Sequence, residues 1–108
     1  MKSINDIVDG FLRESVEDYI GLWAISDAVR RDLALTNNEE VKARTLDVVR
    51  ILLDHGLFAG DYDYGVAFHP WKGVDANLTI ARIDKEWDAS RGDPTLPESI
   101  CWFDRRRV

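Results

Sequence analysis

The sequence predicts a mainly α-helical fold carrying a small antiparallel β element (α+β), with winged-helix-like helices followed by a hairpin. Three observations predict it. Apolar residues recur at three- and four-residue spacing over most of residues 4–53. After Gly56 the pattern changes to short β-prone runs. Clusters of Gly, Pro, Asn and Asp mark the junctions. With 108 residues, 45% of them hydrophobic and 31% charged, the chain is expected to fold around one core as a single domain, 1–108.

Ser3 is placed to cap a first helix whose apolar stripe is Ile4, Ile7, Val8, Phe11, Leu12 and Val16. The stripe changes phase at Leu22, Ile25, Val29 and Leu33, which predicts a kink or short break near Asp18–Gly21. Asn37 or Asn38 can cap the next helix, 38–55, and Glu39 and Glu40 suit the positive end of its dipole. That helix carries Val41, Leu46, Val49 and Leu53, flanked by Val48 and Leu52, and Gly56 ends it. "LFAG" and "GVAFH", separated by "DYDY", predict a hairpin over 57–69 that stops at Pro70. Asp75 caps a last helix with Ile80, Ile83 and Trp87 on one face. The turn-rich "SRGDPTLPES" then leads to "ICWF", which suits a short strand able to join the hairpin.

Charge narrows the partners. Twenty acids oppose 14 Lys and Arg, a net charge of −6. Within 61–104 there are nine acids and four Lys or Arg. Such a surface repels phosphate backbones and attracts basic proteins. Arg105, Arg106 and Arg107 run against this trend and read as a solvated basic tail. The amino-terminal residues lack the pattern of a signal peptide, and no apolar run is long enough to span a bilayer. Cys101 is the single cysteine, so no internal disulfide can form. A cytoplasmic protein without a membrane association is the expectation; the oligomeric state is left open.

Catalytic and cofactor patterns are missing from the sequence. "DYDYG" lacks the third ligand and the bidentate acid that a calcium loop needs. His55 and His69 lie fourteen apart, without metal-ligand spacing. No serine falls in a nucleophile motif, and Cys101 sits in an apolar strand where a buried thiol is expected. Asp84 and Asp88 stand one helical turn apart, a spacing that a solvated helix face produces equally well. The glycines are too scattered for a phosphate loop. The reading is a non-enzyme with no cofactor and no metal.

What remains is a set of aromatic residues interleaved with acids. Tyr and Trp anchor protein interfaces because they bury much area at small entropic cost. Asp61, Tyr62, Asp63 and Tyr64 of the hairpin, with Asp84, Glu86 and Asp88 of the last helix, are the candidate partner-binding residues. Phe68 and Trp71 read as core side chains, and Tyr62 and Tyr64 stay open between interface and turn decoration.

"EDYIGLWAISDAVRRDL", "TLDVVRILLDHGL", the Pro-Trp at 70–71, Trp87 and "ICWF" together resemble a set of short, uncharacterised bacterial proteins. The likeness runs from Glu17 to Phe103 and implies no catalytic residues. In size and acidity the chain is also similar in type to the immunity proteins of bacterial toxin systems, which cover the active sites of basic toxins. That likeness implies a non-catalytic module binding a basic protein such as a toxin domain. The alternative is a winged-helix DNA-binding transcriptional regulator using helix 38–55 and the arginine tail. The acids of "NNEE" and "DYDY" give the wrong electrostatic sign for it.

Overall fold

The computed structural model describes residues 2–63, 67–72, 75–89 and 100–105. Tyr64, the turn-rich stretch 90–99, Arg106 and Arg107 lie outside them.

Helix α1 (Ile4–Glu14) starts where Ser3 accepts from the Asp6 N–H while the Asp6 carboxylate accepts from the Ser3 N–H. This reciprocal cap satisfies two donors that the first helical turn leaves without partners. The same backbone contact, followed by the Ser3 hydroxyl, holds the Asp6 carboxyl below its usual range. The expected break after α1 is a two-residue strand, β1 (Ile20–Gly21), leading straight into α2 (Leu22–Asp32). Asn37 accepts from the Glu40 N–H to open α3 (Asn38–Asp54), and Gly56 follows it at φ 94, where a side chain would be strained. Along α3 the buried stripe is Val41, Thr45, Val48, Val49 and Leu52, with Leu46 and Leu53 at its margins. Leu46 and Leu53 were expected at its centre; Thr45 holds that place instead.

The hairpin consists of β2 (Leu57–Asp63) and β3 (Ala67–Pro70). Asp61, Tyr62 and Asp63 are therefore strand residues rather than turn, paired with His69, Phe68 and Ala67. Asp75 accepts from the Leu78 N–H at the start of α4 (Ala76–Ala89), and Ile83 and Trp87 are buried along it. Strand β4 (Trp102–Arg105) joins the hairpin as expected. It also pairs with β1, so the sheet order is β1-β4-β2-β3, antiparallel throughout.

Phe103 stands opposite both Ile20 and Ala59, and all three are buried against the helices. Helix α3 packs against α1, α2, α4 and β2 and forms the spine of the core. Arg105 does not extend into a tail. Its Nη2 donates to the Leu12 carbonyl at 3.1 Å and its Nε to the Ser15 hydroxyl, tying β4 to the end of α1. Among the described residues, no helix is long and apolar enough to cross a membrane.

Candidate functional site

Strand alternation decides which side chains share a face. On β2, Leu57 and Ala59 point at the helices, and Phe58, Gly60 and Tyr62 point away from them. On the neighbouring strands, Trp102 opposes Gly60 and Phe68 opposes Tyr62. The outer face of the sheet thus carries an aromatic group. Tyr19 lies 4.7 Å from Tyr62 and 5.6 Å from Phe68 between ring centroids, and Tyr62 lies 5.4 Å from Trp102. Such pairs contribute about 0.5–1.5 kcal/mol each beyond the area they bury.

Two glycines make room for the rings. A Cβ on Gly21 would collide with the Trp23 indole and approach Trp102 to 3.3 Å. One on Gly60 would meet the carbonyl oxygen of His69 and come within 2.8 Å of the Phe68 ring. Tyr19, Tyr62, Phe68 and Trp102 are half-buried, while Trp23 and Phe58 are exposed to 36% and 42%. The face is thus packed from below and open above. Phe68 belongs here, not to the core as expected. Trp71 does pack against the core margin, with the Arg82 guanidinium 3.6 Å from its ring centre.

The candidate residues named from sequence separate into two groups. Asp61 and Tyr62 are adjacent in one strand and so face opposite sides of the sheet. Asp61 is exposed opposite His69. Burial pushes the Cys101 thiol well above its ordinary value, and the charges of Glu86 and Asp61 add to this. By strand alternation Asp61 shares the side of Leu57 and Ala59, away from the aromatic rings, and Glu86 lies on α4. Of Asp63 the pairing in β2 is described, and Tyr64 lies outside the described residues. Asp84 and Asp88 share an ion pair with Lys42 of α3, and Glu86 pairs with Arg82. The acids of α4 are thus partly spent inside the molecule.

Burial alone would lower the Lys42 pKa, but hydrogen bonds and charge from Asp84 and Asp88 outweigh it, and the pKa rises above 10.5. A cation held above its unfolded value stabilises the fold below that value, and the contribution disappears as pH rises through the folded one. Lys42→Met is expected to reduce stability by about 0.5–1 kcal/mol near neutral pH, because both carboxylates are largely exposed. Urea unfolding at about pH 8 and at about pH 11.5 checks this: the gap between variant and wild type should shrink at the higher pH.

Sequence reasoning missed Tyr19, Trp23 and Trp102 as members of one face. The available signal was alternation: in "CWFD" the larger aromatic takes the opposite parity to Phe103. Comparison of the chain with protein-family models, with curated proteins and with solved structures finds no match.

Proposed function

We propose that this protein is a non-catalytic binding module for a positively charged protein, acting as an immunity protein or inhibitor does toward a basic toxin. One observation carries the reading. The sheet presents a half-exposed aromatic face on strands and turns that hold acids and almost no bases. Glu17 and Asp18 are exposed next to Tyr19, and residues 15–23, 57–63 and 67–70 contain no Lys or Arg. Arg105, the base of β4, is turned to α1. Aromatic rings supply contact energy, and surrounding acids steer a basic partner while repelling acidic ones.

The bases of α3 speak for a protein partner over DNA. Lys42 is paired with Asp84 and Asp88, Arg44 with Asp47, and Arg50 donates to Asn77. A recognition helix would need them directed at phosphates and base edges.

The test is affinity capture from the source lysate with wild-type protein, with a Trp23→Ser/Tyr62→Ser variant and with Glu17→Lys. The expected partner has a basic isoelectric point, is lost by at least about tenfold on removing the two rings, and binds less tightly to Glu17→Lys. Capture that ignores the rings and charge, or a saturable duplex-DNA complex whose affinity falls steeply with salt, would defeat the proposal.

A further inference from the structure

We infer that the aromatic face receives a proline-bearing segment flanked by Lys or Arg, held in the polyproline II conformation. The inference rests on the binding reading above and specifies what part of the partner is seated there.

The first argument is the hydrogen-bond state of the sheet. Strands β4 and β2 each have a neighbour on both sides. Their backbone groups are committed to the ladder, so a partner lying over them must bind through side chains. A polyproline II segment suits that demand. It forms no internal backbone hydrogen bonds, keeps its backbone solvated and offers stiff pyrrolidine edges.

The shape of the aromatic surface is the second. The rings meet at 24°, 35° and 57°, so they form ridges rather than a flat plate. A flat plate would suit stacked planar groups. Ridges suit a three-sided helix that repeats about every 9 Å. Along Tyr19, Tyr62 and Trp102 successive centroids are 4.7 and 5.4 Å apart, so the outer two rings are separated by at most about 10 Å, comparable to one such repeat. Tyr and Trp dominate the face, the types that grip prolines in grooves lined with aromatic residues.

Charge complementarity is the third. Glu17 and Asp18 are exposed beside Tyr19. Acids at the margin select Lys or Arg flanking the prolines and disfavour polyanions. Proline fixes the backbone before binding, so less conformational entropy is lost than with a flexible basic peptide.

The experiment titrates the intact protein with three synthetic peptides of about twelve residues. One carries Arg at both ends and proline at every third position; a second replaces the prolines by alanine; a third replaces the arginines by glutamate. Intrinsic tryptophan fluorescence reports Trp23 and Trp102, and amide chemical-shift mapping locates the contact. The expected result is saturable binding of the first peptide with a Kd of about 10–100 μM. Affinity should fall at least about tenfold for the other two peptides and for Trp23→Ala or Tyr62→Ala. Trp23→Phe and Tyr62→Phe keep the rings should the alanine variants unfold, and Leu78→Ser on the exposed face of α4 should change nothing. Equal binding of the proline and alanine peptides, shifts confined to the edge of β3, or no binding overturns the inference. If a captured basic partner still depends on the rings while the proline peptide fails, this inference falls and the binding reading stands.

Discussion

Truncation of Phe103 to alanine is expected to destabilise the fold by about 3–5 kcal/mol, the range for a large aromatic removed from a packed core. Phe103 has no exposed surface and lies on the strand that joins β1 to the hairpin, opposite Ile20 and Ala59. Domains of this size are stable by about 5–15 kcal/mol in total, so the variant would keep a fraction of its margin at best. Guanidinium unfolding followed by circular dichroism measures it. The midpoint should drop sharply while the slope against denaturant is preserved. A loss under about 1 kcal/mol would show that Phe103 does not sit in a closed core.

Gly60→Ala should be nearly as severe, at about 3 kcal/mol or more. The added methyl has nowhere to go: it meets the His69 carbonyl oxygen and comes within 2.8 Å of the Pro70 Cα, both backbone atoms of the paired strand. β3 must draw away from β2, and the Phe68 ring must move as well. Gly10→Ala provides the contrast. In α1 its methyl meets nothing closer than the Arg13 guanidinium at 4.0 Å, and removing a helical glycine should raise stability by about 0.5–1 kcal/mol. Thermal melts of the two variants side by side test both signs. A mild effect at Gly60 would mean that the hairpin register differs from the one observed.

The parts of the fold governed by neighbouring residues were readable in the sequence. Ser3, Asn37 and Asp75 announced helix starts through short polar side chains, and Gly56 announced an end through its backbone freedom. "ICWF" announced a strand through its alternation. Long-range partnerships were not readable. Nothing local tells Lys42 that its carboxylates lie 42 and 46 positions ahead, or that Arg105 would reach back to Leu12. The phase change at 18–21 signalled a break, but pairing of Ile20 with Phe103 is a tertiary event. Adjacency in sequence suggests one surface for the acidic and aromatic residues of the hairpin. Once Asp61–Asp63 is a strand, adjacency separates them, and the face is completed by Tyr19 and Trp102 from distant segments.

The position of β4 between β1 and β2 has a consequence for the order of assembly. Strands β1 and β2 cannot meet until residues 102–105 take their place between them. During synthesis the three helices of residues 4–54 are complete, and free to gather, some fifty residues before that happens. The helical half is therefore exposed early to the ribosome surface and to chaperones. The sheet, with the aromatic face it carries, is finished in one late step whose long loop closure sets its pace.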